Sequence, residues 1–508
     1  MAILTAPPCW RPRDCAWLVL LLLTGLVATA NSAAPDAGWF ASGDTQLRLD
    51  LQLLNDAEII ELPISYWPLP RAAVRFALAK AKEHFAVNSA VDAALERVRA
   101  RVGGPAARGA TYDTEIRGGE PGLWRDFDTV AREDGELTAG FDYAASRYSV
   151  GIAVTAVTAP DDGQNIRLDG SQATVQLGNW LLSANMLDRW WGPGHEGSLI
   201  LSNNARPMPT LMVERAEARA FETKWLSWLG PWRMSFGISQ MDDNRQDVDK
   251  PLFMAWRIVI MPTRKVEIGF SRTAQFCGQG LECNPTVFKN LLIGNDNVGI
   301  DVTAAAEPGN QMAGFDLRWN SPLGDLPYAL YGQYIGEDES GYVPAKFLSQ
   351  LGLEVWHPVT AGGVVQGFLE YASTTCSANS QRGPYYGCAY NQGRFNVEGY
   401  RYRGRSVGYT ADRDAENWAL GGTLAAANGT TWTATARISR LDRSIIGDTL
   451  NTVASVPTDY HALELGWKGR LFGEQLSADL GVEAIEPMNA TRTTSVYGFI
   501  GWRHEFRP

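Results

Sequence analysis

The 508-residue sequence has only five histidines and six cysteines. It holds no His-Glu-x-x-His, because the residue four places after His195 is Leu199. There is no Cys-x-x-Cys, no Gly-x-Ser-x-Gly with an obvious partner, and no glycine loop ending in Gly-Lys-Ser/Thr. These absences argue against a zinc site, a serine hydrolase and a phosphate cradle, so no catalytic, metal or cofactor residue is assigned. Beyond residue 30 there is no apolar run of about 18 residues, which excludes a further membrane-spanning helix. A net charge of −11 argues against a nucleic-acid binder.

What is present begins with a leader. Arg11 and Arg13 precede the uncharged run Ala16 to Ala30, which ends in the small-residue site Ala28-Thr29-Ala30. The run is too short to span a bilayer comfortably and reads as a signal peptide over residues 1–30. Cys9 and Cys15 would leave with it, and Cys277, Cys283, Cys376 and Cys388 would remain. Four cysteines in an exported chain suggest two disulfides. The tight spacings favour two local loops, although three connectivities are open.

Residues 31–106 read as a helical segment. "SAVDAALERVRARVGG" places Val91, Ala94, Leu95 and Val98 at helical spacing behind an Asn88-Ser89 cap, and stops at Gly103-Gly104. "RAAVRFALAKAK" follows Pro68 and Pro70 as a second helix. "DTQLRLDLQLLNDAEII" fits helix or strand, and Leu47, Leu51 and Leu54 tilt the reading to helix.

From about residue 110 the period becomes two. In "WRMSFGIS", Trp232, Met234, Phe236 and Ile238 share one face, and Arg233, Ser235, Gly237 and Ser239 the other. Such alternation suits any antiparallel sheet wetted on one side. Segments of about ten residues, with aromatics at their ends, favour a transmembrane barrel over a soluble sandwich or propeller. Short connections near 144–147, 177–179, 229–231, 262–264, 321–327, 358–363, 428–430 and 469–475 alternate with long ones. The long ones fall near 119–135, 159–170, 189–208, 242–250, 276–309, 337–346, 375–415, 441–457 and 487–490. Strict alternation predicts an all-β, 18-stranded antiparallel outer-membrane barrel over residues 107–508, with short turns in the periplasm and long loops outside. Both cysteine pairs then fall in outside loops.

Two loops carry candidate binding chemistry. "RWWGPGHEGSLILSNNARP" (189–207) offers Trp190 and Trp191 as platforms for sugar C–H groups. His195, Glu196, Asn203, Asn204 and Arg206 add donors and acceptors. Its apolar "SLILS" is expected to fold back into the barrel mouth. The 375–415 loop interleaves tyrosines with arginines, Tyr400, Arg401, Arg403 and Arg405 foremost. That basic, aromatic patch on an acidic protein suits uronate carboxylates of an acidic polysaccharide. The competing readings are a constriction loop packed for structure and a solvated loop bonded to lipopolysaccharide phosphates.

These residues resemble the Wzi capsule assembly family of outer-membrane proteins. The resemblance runs through "QLRLDLQLLNDAEIIELPISYWPLP", "RWWGPGHEGSLILSNNARPMPTLMVER" and "YRYRGRSVGYTADRDAE". It departs at His195, where an aromatic is expected, and at Arg507-Pro508, which trail the terminal Phe506. The resemblance implies an 18-stranded barrel with a small periplasmic helical bundle, placed in the outer membrane of a Gram-negative bacterium. It also implies a lectin for capsular polysaccharide that organises or anchors capsule without catalysis. Outer-membrane lipid, lipopolysaccharide and capsule export machinery are the other expected partners. The alternative function is a substrate-selective porin for small anions or sugars.

Overall fold

The computed structural model describes residues 37–82, 89–103, 109–128, 131–243, 245–246, 248–293, 306, 309–323, 326–340, 343–359, 362–378, 384–391, 398–444 and 451–507. The expected signal peptide and the Asn88 cap lie outside the described residues.

The wall is a closed antiparallel barrel of 18 strands. In chain order they are β1 (Gly109–Glu120), β2 (Gly135–Ala144), β3 (Tyr148–Thr158), β4 (Gln172–Leu177), β5 (Trp180–Asn185) and β6 (Thr210–Arg215). Next come β7 (Trp232–Gln240), β8 (Leu252–Thr263), β9 (Val266–Phe276), β10 (Gln311–Asn320), β11 (Tyr328–Ser340) and β12 (Val343–Val359). The last are β13 (Gly363–Ala378), β14 (Glu416–Ala425), β15 (Thr431–Leu441), β16 (Thr458–Leu471), β17 (Glu474–Pro487) and β18 (Thr493–Phe506). Pairing of β18 with β1, from Gly498 opposite Glu120 to Phe506 opposite Tyr112, closes the seam and removes every free edge.

The period-two pattern sorts side chains by solvent. Leu137, Ile152, Leu211, Leu420, Leu465 and Ile500 are exposed on the outer face. Arg233, Arg257, Glu354, Glu370 and Arg437 are buried on the inner face. Apolar outside and charged inside inverts the soluble arrangement and matches a wall facing lipid. Trp180, Trp319 and Trp432 lie exposed near the periplasmic strand ends, where a girdle is expected.

Two connections differ from expectation. The stretch 337–346 was expected as a long loop, but β11 runs on to Ser340 and β12 restarts at Val343. Strands that project beyond the membrane pair in water, so charge there does not end a ladder. The connection 216–231, expected as a short turn at 229–231, has a 3-10 turn at Ser227–Leu229 and is the longest at its end.

The lumen is filled. Three helices, α1 (Thr45–Asp56), α2 (Arg71–Ala79) and α3 (Ser89–Gly103), pack around Leu47, Leu51, Leu54, Val91, Ala94 and Val98. The Asp44 carboxylate caps α1 by accepting from the Leu47 N–H at 3.0 Å. Its polar faces are buried too, since α1 stands against a charged wall. Asp56 takes both terminal nitrogens of Arg318 at 2.8 Å, and Gln366 donates to Gln52 at 3.2 Å. Glu267 accepts from the Ser65 N–H at 2.7 Å, and Arg233 donates to the Tyr66 carbonyl at 3.1 Å. Partners on β7, β9, β10 and β13 thus surround residues 52–66. The helical segment, expected at the periplasmic side, occupies the periplasmic half of the lumen.

Both disulfides are local. Cys277 pairs with Cys283 and Cys376 with Cys388. A fourth helix, α4 (Pro285–Ile293), follows the first pair and packs Leu291 against Phe276 and Cys277.

Candidate functional site

The segment 189–207 lies deeper than the barrel mouth. Trp190 and Trp191 form a two-residue antiparallel ladder with Trp67 and Tyr66 of the helical layer. Both indoles are sealed, at 0% and 1% exposure. Trp190 Nε1 donates to the Gly194 carbonyl at 3.2 Å. Gln333 of β11 donates to the Trp191 carbonyl at 2.8 Å and accepts from the Leu199 N–H at 2.7 Å. The glycines are needed for close approach. A Cβ on Gly194 would meet Gln350 Nε2 at 2.4 Å, and one on Gly197 would meet the Tyr409 ring at 2.3 Å.

His195 and Glu196 are anchored in the wall. The His195 N–H donates to Glu370 at 2.8 Å, and its Nε2 lies 2.9 Å from Glu354. Its ring stacks on Phe368 at 4.5 Å and 5°. Glu196 accepts from Arg437 at 2.6 Å, and the same guanidinium holds Glu464 at 2.9 Å and Asp126 at 2.7 Å. Both residues are thus held by contacts with the wall.

A third layer covers the outside. Tyr400 donates to the Ile200 carbonyl at 2.7 Å, and Tyr390 to the Leu199 carbonyl at 2.8 Å. Asn204 Nδ2 donates to the Ser406 carbonyl, and Asn203 Nδ2 to the Asp126 carbonyl, both at 2.9 Å. Arg401 grips Asp412 through two nitrogens at 2.6 and 2.9 Å. Burial would raise the Asp412 carboxyl, but Arg401 and the Thr452 donors hold it below the ordinary value. Arg206 is clasped by Asp169 at 2.8 Å and by Asp162.

Trp190, Trp191, His195, Glu196, Asn203, Asn204, Tyr400 and Arg401 therefore build the platform and do not present their polar groups to the outside. Arg403 and Arg405 differ. They belong to a tight hairpin in which Arg401–Tyr402 pairs with Arg405–Ser406. Arg403 (φ 52°) and Gly404 (φ 76°) form its turn, the left-handed pair that a two-residue hairpin requires. Gly404 is exposed and both arginines are half-buried. Arg405 Nη1 is buried without a hydrogen-bond partner among the described residues. Wall residues such as Gln333, Glu370 and Arg437 were not singled out from the sequence. Their signal was charge or amide on the inward face of a period-two strand.

A family model described as "Capsule assembly protein Wzi" matches residues 108–496. An uncharacterized 55.8 kDa protein in the cps region of Klebsiella pneumoniae is 33% identical over 340 residues. That match covers 66% of this chain and 65% of the relative, so slightly under two thirds of the relative's length is spanned. Among solved structures, Wzi of Escherichia coli, an outer-membrane protein involved in group 1 capsule assembly and described as a carbohydrate-binding β-barrel, superposes with a TM-score of 0.79. It shares 26% identity and aligns over 93% of this chain and 100% of its own. The chain belongs to the Wzi capsule assembly family of Gram-negative outer-membrane proteins.

Proposed function

We propose that this barrel is a lectin that binds an acidic capsular polysaccharide at its outside face and helps hold capsule on the cell. Catalysis plays no part in this reading. The observation that carries it is the Arg403–Gly404 turn, which places the half-buried Arg403 and Arg405 on either side of the exposed Gly404. A planar guanidinium suits a sugar carboxylate. Tyr402 beneath Arg403, at 5.7 Å from ring to guanidinium, offers a flat neighbour. The buried tryptophans, asparagines and Tyr400 then act at one remove, by fixing the turn. Three stacked layers in the lumen support this reading over a substrate-selective porin. Lipopolysaccharide around the outside half and export machinery at the periplasmic end complete the proposed partners.

The test is binding of the purified mature chain to the host's own acidic capsule polysaccharide and to an unrelated neutral one. Preference for the former, lost when Arg403 and Arg405 are both replaced by Ala, supports the proposal. Equal binding to both polymers overturns it.

A further inference from the structure

The connection 216–231 between β6 and β7 joins the wall where it is shortest. β4, β5 and β6 have six residues each, whereas a tilted membrane strand takes about 9–11. The connection is fastened at both margins. Ala216 packs with Ala72 and Leu181, and the Arg219 guanidinium lies over the Phe76 ring of α2 at 4.9 Å. On the lipid side, Trp232 opens β7 and is sandwiched. The Arg215 guanidinium covers it at 3.6 Å, and Phe221 stacks on it at 4.7 Å and 13°.

Between these margins two indoles turn outward. Trp225 is 73% and Trp228 62% exposed. They are held in an ordered turn, with the Leu226 and Ser227 N–H groups both donating to the Thr223 carbonyl. Lys224 beside them is exposed as well. Large indoles left this bare in water are costly, whereas tryptophan favours the boundary between headgroup and acyl chain. The connection adjoins the lipid-facing side at Trp232 and sits at the periplasmic strand ends, at the level of that boundary.

We propose that residues 221–229 rest on the phospholipid leaflet at the periplasmic side of the outer membrane. Trp225 and Trp228 enter the headgroup boundary and Lys224 meets lipid phosphate. This surface completes the lipid-facing band beneath the three shortest strands, where the bilayer would otherwise have to thin.

The experiment places a nitroxide on Trp225→Cys and, separately, on Trp228→Cys. The mature chain is held in nanodiscs of phosphatidylethanolamine and phosphatidylglycerol. Accessibility to oxygen and to a water-soluble nickel chelate is read, with Leu211→Cys as the lipid reference and Asn428→Cys in a periplasmic turn as the water reference. Both indole sites should give an oxygen-to-nickel ratio several-fold above the Asn428 label. A ratio equal to that of Asn428 at both sites would overturn the proposal and leave the indoles to a soluble partner. A second readout needs no label: brominated phospholipid should quench the wild-type chain more than Trp225→Ser/Trp228→Ser, and equal quenching counts against lipid contact.

Discussion

Glu196 and Arg437 lie 2.6 Å apart, joining a segment folded into the lumen to the strand that walls it. Because Arg437 also holds Glu464 and Asp126, one cation fastens three carboxylates. Arg437→Ala would leave these groups without their buried counter-charge, a loss of about 3–5 kcal/mol. Unfolding of the detergent-solubilised variant by heat should show it, and Arg437→Lys, which keeps the charge without the fork, should fall between. A variant as stable as wild type would mean that the cluster contributes nothing.

The filled lumen sets an electrical expectation. Added to planar bilayers, the mature chain should give no steady single-channel current. Sustained open currents at modest voltage would restore the porin reading.

At the outer face, Arg401 and Arg405 should behave differently although only three residues separate them. Removing a charged hydrogen bond to ligand costs roughly 1.5–3 kcal/mol, a ten- to hundred-fold loss of affinity. The Arg403→Ala/Arg405→Ala variant should lose binding by that order while the barrel melts normally. Arg401→Ala should instead loosen the outer layer, since it strands the buried Asp412. Protease sensitivity of the 398–415 stretch is the readout. The assignment of roles fails if the two variants give the same pattern.

Asp414 makes the outer layer pH-dependent. Burial lifts its carboxyl to about 6, against the Gly387 N–H that donates to it and Arg413 nearby. The unfolded value is about 3.9, so between about 4 and 6 the folded layer keeps a proton that the unfolded chain has lost. Stability from this group therefore falls as pH rises through that window and is level above it. Asp412, held low by Arg401, acts in the opposite direction at lower pH. The Asp414 contribution is isolated by comparing wild type with Asp414→Asn, which should flatten the slope between pH 4 and 6. An unchanged slope would remove Asp414 as its source.

The barrel was readable because lipid on one side and polar filling on the other impose alternation on every strand. Trp232, Met234, Phe236 and Ile238 show it as plainly in the sequence as in the structure. The helices were readable for the same reason of periodicity, including α1, where Leu47, Leu51 and Leu54 reach the core of the layer. The arrangement around Trp190 and Trp191 was not. Their sealing depends on Tyr66, Trp67 and Gln333, which lie more than a hundred residues away along the chain. A local reading sees two indoles in a glycine-rich loop and offers them to a ligand. The hairpin at Arg403–Gly404 was likewise hidden, because its short pairing adds no period.

The inward-facing arginines and carboxylates carry a last consequence. The filling of this cylinder is attached by ions and amides, while its exterior is attached by grease. Urea would loosen the interior while leaving the lipid-facing exterior in place, and a change of detergent or lipid would do the reverse. One polypeptide thus answers to two solvents at once, and its resistance to either says little about its resistance to the other.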